Sequence, residues 1–169
     1  MPGMISPSIF SPMGKIIDLQ KLEKLLSGES KGRIVLTGGC FDILHIGHVR
    51  FLSEAKRMGD YLVVLLESDK KVRKLKDKNR PIFIQRERAE MLAALGCVDL
   101  VVLLPVMENN DDYLNLVMKI KPDIIAVTED DPQLENKRRQ AKEVGGKLKI
   151  ISLTKTFSAS KLAEILGVE

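Results

Sequence analysis

Short apolar runs alternate along this chain with amphipathic stretches of helical period, and that alternation restricts the fold more than any other feature. Runs of strand character fall at 33–37, 61–66, 98–103, 123–127 and 147–153. Between and after them, apolar residues recur at helical spacing over 47–58, 85–95, 113–120, 133–144 and 159–166. Strands that are apolar along their whole length must be covered on both faces. Alternated with helices, they imply a parallel sheet between two helical layers. The expected fold is therefore α/β, a single doubly wound (Rossmann-like) domain with a five-stranded parallel sheet. Ahead of it, Leu19, Leu22, Leu25 and Leu26 mark a short leading helix, with Asp18 as N-cap and Gly28 as stop. Residues 1–15 hold three prolines and two glycines with no sustained period, and read as a flexible arm before a domain over 16–169.

A length of 169 residues with 44% hydrophobic content fits one domain with one sizeable core. The longest apolar runs, 61–66 and 98–105, are too short to cross a bilayer, and no stretch resembles a secretory signal, so no membrane partner and a cytoplasmic address are expected. Cys40 and Cys97 are widely separated and read as free thiols. The net charge is +4, with Lys and Arg gathered at Lys70, Lys71, Arg73, Lys74, Lys76, Lys78, Arg80, Arg86 and Arg88. Such a cluster suits a polyanion or a solvated face. With no Trp and two Tyr, platforms for stacking single-stranded bases are not evident, so a phosphorylated small molecule is expected rather than nucleic acid.

In doubly wound sheets, ligands bind beyond the carboxyl ends of the strands, where strand order reverses. The segment after the first apolar run reads Thr37-Gly38-Gly39-Cys40-Phe41-Asp42-Ile43-Leu44-His45-Ile46-Gly47-His48, and helical period resumes at Phe51, Leu52 and Ala55. Gly38 and Gly39 let backbone come close to a ligand, and free amides at a helix start favour an anion such as phosphate. His45 and His48 are the only histidines of the chain. Three residues apart at that helix start, they can converge on a phosphate and stabilise charge growing on it. Without a third Cys or His nearby they make a poor zinc site, and no metal site is expected. Neither a Gly-x-Gly-x-x-Gly fingerprint nor a Gly-Lys-Ser/Thr P-loop occurs.

From about Ile34 to Leu166 the sequence resembles the nucleotidyltransferases with the H-x-G-H signature, in their cytidylyltransferase-like branch. The stretch from Gly39 to Leu52 looks most like the adenylyltransferase domain of ADP-heptose synthases, and the likeness continues through Ala55 to Asp60, Leu75-Lys76, Arg80-Pro81, Arg88-Ala89-Glu90 and Val98-Asp99. Glycerol-3-phosphate cytidylyltransferases and archaeal FAD synthetases share a sparser version. The tetrapeptide His45 to His48 also matches class I aminoacyl-tRNA synthetases, whose catalytic domains are much longer.

The resemblance implies that His45, His48 and Lys76 act at the α-phosphate. It places Gly39, Cys40, Phe41, Arg88, Asp130, Ser158 and Ser160 against the nucleotide, and Asp42, Lys74 and Arg80 on the substrate side. It implies Mg²⁺ bound with the triphosphate, no general base, and a homodimer as one assembly open to the chain. Relatives carry Gly-Gly-Asp or Gly-Asp-Asp after the fourth strand, where this chain has Thr128-Glu129-Asp130-Asp131. Ala159 interrupts the Ser-Thr-Thr-like segment, and Leu153 stands where cytidylyltransferases carry arginine, which favours ATP over CTP. The implied reaction joins a nucleoside monophosphate to a phosphorylated small molecule, a heptose-type sugar 1-phosphate first, and releases pyrophosphate. A nucleotide-sensing module without turnover is the alternative of another class.

Overall fold

The computed structural model describes residues 14–28, 31–76, 78–152 and 159–167. Its elements are β1 (Lys15–Asp18), α1 (Leu19–Leu26), β2 (Ile34–Gly39), α2 (Ile46–Arg57), β3 (Tyr61–Leu66), α3 (Asp69–Leu75) and α4 (Gln85–Ala93). There follow β4 (Leu100–Leu103), α5 (Asn110–Ile120), β5 (Ile124–Thr128), α6 (Leu134–Glu143), β6 (Lys147–Ile151) and α7 (Ala159–Leu166). The sheet runs β1-β4-β3-β2-β5-β6, and every pairing is parallel.

Side chains alternate between two cores, as the period of a strand requires. Leu62, Val64 and Leu66 of β3 join Phe51, Leu52, Ala55, Ala89 and Leu92 of α2 and α4 on one face. Val63 and Leu65 meet Leu22, Leu116, Val117, Ile120 and Ala141 of α1, α5 and α6 on the other.

Two elements correct the sequence reading. The sheet has six strands rather than five, because Lys15–Asp18 pairs with β4 at its edge. Lys15, assigned to the arm, is thus the first residue of a strand, and Gly14 donates its N–H to the Ala93 carbonyl. Four residues containing only Ile16 and Ile17 as apolar positions are too few to show a period. The basic segment, to which the sequence reading assigned no helix, holds α3, capped by Ser68 Oγ accepting from Lys71 N. Its one buried residue is Val72. One anchor in seven residues gives no amphipathic stripe to recognise.

The chain proceeds from β2 outward through β3 to β4, then crosses to β5 on the opposite side of β2. Strand order therefore reverses at β2. Six residues of β2 pair with β3, but only Val35 and Leu36 pair with β5. Beyond Leu36 the two strands part, and Thr37, Gly38 and Gly39 form one wall of a crevice.

Candidate active site

The turn after β2 is held by Phe41, whose φ of 45° lies in the left-handed region that a bulky residue adopts at a cost. Its ring is buried and packs 5.2 Å from the His48 ring, centroid to centroid. A Cβ on Gly39 would stand 3.1 Å from that same ring. The absence of a side chain at Gly39 thus sets where Phe41 lies, and Phe41 sets one wall of His48.

His45 is the N-cap of α2, and its Nδ1 accepts from Gly47 N at 3.1 Å. With Nδ1 committed as acceptor, the proton of the neutral ring resides on Nε2, which is the donor available to a ligand. The His45 and His48 rings stack with centroids 3.9 Å apart and planes tilted by 34°. Burial lowers the pKa of His45. Burial first, then the charges that His45 and Lys76 would place beside it, lower that of His48 to about 4, against a smaller opposing effect of the Ile43 backbone. Both shifts favour the neutral imidazole, and an arriving phosphate would oppose them by reversing the sign of the local field.

Behind this corner lies a scaffold of buried arginines. Arg88, expected against the nucleotide, is completely buried and its guanidinium is engaged within the protein. Nε donates to Phe83 O at 3.0 Å, Nη1 to Cys40 O at 2.5 Å, and Nη2 to Glu67 O at 2.9 Å and Asp69 Oδ1 at 2.7 Å. It pins the turns after β2 and β3 to the start of α4. Asp42 and Arg80, expected to face substrate, are each only 2% exposed and bind each other, with Nε to Oδ2 at 2.5 Å. Asp42 Oδ1 also accepts from Ile82 N and Phe83 N. These three side chains act on the site by holding its loops.

The other expected residues divide. Lys76 caps α3 at its carboxyl end, is exposed, and its charge reaches both His48 and Cys40. Lys74 is exposed on α3. The Cys40 thiol is pushed up chiefly by burial, and its carbonyl faces Arg88. Asp130 is exposed in the turn after β5, whereas Asp131 turns inward and accepts from Lys137 Nζ at 2.6 Å and Gln133 N at 2.8 Å. Glu129, in the turn that departs from the pattern of relatives, accepts from Ser152 Oγ just after β6. Ser158 and the side chain of Ser160 lie outside the described residues. The basic cluster is no continuous surface, since Arg80 and Arg88 are buried and Lys71 donates to Met107 O.

A cavity of about 320 Å³ opens at Gly38 and Gly39 on the sheet face opposite α2. Leu36, Leu65, Val117 and Ile125 form its apolar floor, and Glu67, Lys71, Tyr113, Asp131, Asn136 and Lys137 supply its polar wall. The histidines do not line it; the bare backbone of Gly38 and Gly39 borders both. Of the six polar residues, the sequence reading named only Lys71, in the basic cluster, and Asp131, in the turn after the fourth strand, and neither as part of a cavity. The available signal was position, since Glu67 follows the apolar run of β3 at the carboxyl edge of the sheet. Among the described residues no group of three His, Cys, Asp or Glu could hold a metal, and no helix is long and apolar enough to cross a membrane.

Known proteins share the sequence and the fold. Residues 36–163 match the model of the family described as cytidylyltransferase-like. A protein named bifunctional protein HldE from Helicobacter pylori is 39% identical over 150 residues, which span 89% of this chain and 31% of that protein. Its namesake from Campylobacter concisus is 48% identical over 111 residues, 66% of this chain and 23% of the relative. The chain thus spans about a quarter to a third of the length of these curated relatives. Among solved structures, a lipopolysaccharide core biosynthesis protein from Thermoplasma volcanium superposes with a TM-score of 0.60 at 31% identity, over 75% of this chain and 99% of that one. A pantoate-beta-alanine ligase from Francisella tularensis, 16% identical, shares the fold with a TM-score of 0.60 over 85% of this chain and 68% of its own. With a signature corner, a switch-point crevice and these kinships in accord, the chain belongs to the cytidylyltransferase-like family of nucleotidyltransferases.

Proposed function

We propose that the chain transfers a nucleoside monophosphate, with ATP as the favoured donor, to a phosphorylated sugar such as a heptose-type sugar 1-phosphate. One observation carries the reading: a stacked pair of imidazoles, with Nδ1 of His45 engaged by Gly47 N, stands at the start of α2 beside a glycine backbone that borders a cavity with one polar wall. An oxygen of the acceptor phosphate attacks the α-phosphorus. The bond from that phosphorus to the bridging oxygen breaks, and pyrophosphate leaves with the electron pair. A phosphate monoester is already ionised near neutral pH, so the protein needs no general base. His45 Nε2–H and the His48 ring offset charge growing on the α-phosphate, and Lys76 adds positive charge from the end of α3. Mg²⁺ bound with the donor triphosphate would supply positive charge against the leaving group. The match to ADP-heptose relatives and Leu153 support ATP over CTP.

The test is pyrophosphate release with Mg²⁺ across ATP, CTP, GTP and UTP, each against sugar 1-phosphates, glycerol 3-phosphate, phosphocholine and FMN. His45→Ala and His48→Ala should each lower kcat by about 10²-fold or more, with smaller losses of nucleotide affinity. Silence of the wild type across the panel, with triphosphate binding intact, would replace transfer by nucleotide sensing. CTP as sole donor with glycerol 3-phosphate would move the specificity to the cytidylyltransferases.

A further inference from the structure

We infer that Glu67, held by Tyr113, is the residue that makes the cavity select a hydroxyl-rich neutral body on its phosphorylated ligand; this deepens the function proposed above and rests on it. Glu67 is fixed through its backbone, its N–H donating to Gly39 O at 3.1 Å and its carbonyl accepting from Arg88. Oε1 accepts from Tyr113 OH at 2.8 Å. Oε2 is buried and has no partner among the described residues. Leaving such an oxygen without a donor costs on the order of 1–3 kcal/mol, so its retention at a cavity wall calls for a donor that arrives from outside. Tyr113 gives its single O–H to Glu67, which leaves its oxygen an acceptor only. Two acceptors side by side require a ligand that donates. A turn about the terminal torsion of Glu67, which is broad in glutamate, brings Oε2 to a ligand hydroxyl.

The charges in the cavity decide what kind of donor this is. Its charged lining is Glu67 and Asp131 against Lys71 and Lys137, so the acids are already balanced. Lys137 neutralises Asp131, and Lys71 Nζ stands 5.6 Å over the Tyr113 ring. The aromatic face that a quaternary ammonium would use is thereby occupied by a cation. A neutral polyol satisfies the acceptors without opposing either lysine.

The test is calorimetric binding to the full chain saturated with α,β-methylene-ATP, using mannose 1-phosphate, phosphocholine and inorganic phosphate as probes. Wild type should bind mannose 1-phosphate at least about tenfold more tightly than either other probe, the scale of one hydrogen bond to a charged group. Glu67→Gln keeps an acceptor for Tyr113 but presents an amide donor in place of Oε2. It should abolish that preference while leaving the melting temperature and α,β-methylene-ATP affinity within error of wild type. Tyr113→Phe should remove part of it. A preference unchanged in Glu67→Gln overturns the assignment, as does a wild type that favours phosphocholine or binds mannose 1-phosphate no better than phosphate. Because the probes are read without turnover, failure of this assignment is separable from failure of pyrophosphate release.

Discussion

Replacing Arg88 separates two roles that predict opposite behaviour. As a ligand of the nucleotide, its loss would weaken triphosphate binding and leave the fold intact. In the structure its guanidinium instead satisfies three backbone carbonyls and Asp69, at distances of 2.5 to 3.0 Å, with the side chain completely buried. Arg88→Met keeps most of the volume and removes every donor. Asp69 is 27% exposed and can turn to water, so its loss counts for little. The three carbonyls after β2, after β3 and before α4 have no such recourse, at about 1 kcal/mol or more each. The whole sits near the 3–5 kcal/mol typical of removing one partner from a buried charged network. For a domain of this size that is a fall in Tm of roughly 6–20 °C, measurable by calorimetry. Nucleotide affinity, titrated well below the new Tm, should fall much less than kcat, because the misplaced turn carries Phe41 and the histidines. Arg88→Lys, with one short ammonium for four acceptors, should lie between. A variant that melts within a couple of degrees of wild type and loses nucleotide binding a hundredfold would refute the scaffold role.

The pH dependence of stability tests the state of His48. Its folded pKa of about 4 lies below the ordinary 6.5, so the unfolded chain binds more protons between those values. Stability is therefore fully present above pH 6.5 and falls toward pH 4. Unfolding free energies from urea titrations at pH 7 and pH 5 should differ by on the order of 1 kcal/mol less in His48→Gln than in wild type, after allowance for partial exposure. Equal slopes in the two proteins would mean that His48 is not held neutral. Gly39→Ala places a methyl 3.1 Å from the Phe41 ring. It should cost about 1–3 kcal/mol by overpacking and lower kcat with Phe41 displaced against His48; wild-type turnover in this variant would detach Phe41 from the histidine geometry.

The parts legible in the sequence were those with a repeating signal or a local one. β3 is a continuous apolar run, β2 opens on Ile34-Val35-Leu36 and β5 on Ile124 to Val127, and the segment from Thr37 to His48 carries its chemistry in consecutive residues. β1 and α3 escaped because each has too few apolar positions to form a period. The roles of Arg80 and Arg88 escaped for another reason. Sequence shows a charge beside a phosphate-binding motif, but whether the charge faces ligand or carbonyl depends on partners such as Cys40 O, 48 positions away. The cavity was invisible for the same cause: Glu67 just after β3, Tyr113 of α5 and Lys137 of α6 meet only in the fold.

That distribution has a consequence for how such a site can vary. The histidine corner belongs to α2 and packs into the core shared with α4. The cavity belongs to the opposite face, where α5 and α6 supply side chains over a floor from β2, β3 and β5. The backbone of Gly38 and Gly39 borders both, and the Glu67 backbone ties the cavity wall to Gly39 and Arg88. On the proposed function, charge stabilisation at the α-phosphorus depends on the first set and is indifferent to what carries the attacking phosphate. On the same reading, selection of that carrier depends on the second set and leaves the imidazoles undisturbed. Substitution on α5 or α6 can therefore exchange acceptors at constant chemistry, whereas a side chain at Gly39 acts on Phe41 and so on His48. Acceptor choice follows from side chains that the H-x-G-H signature does not include.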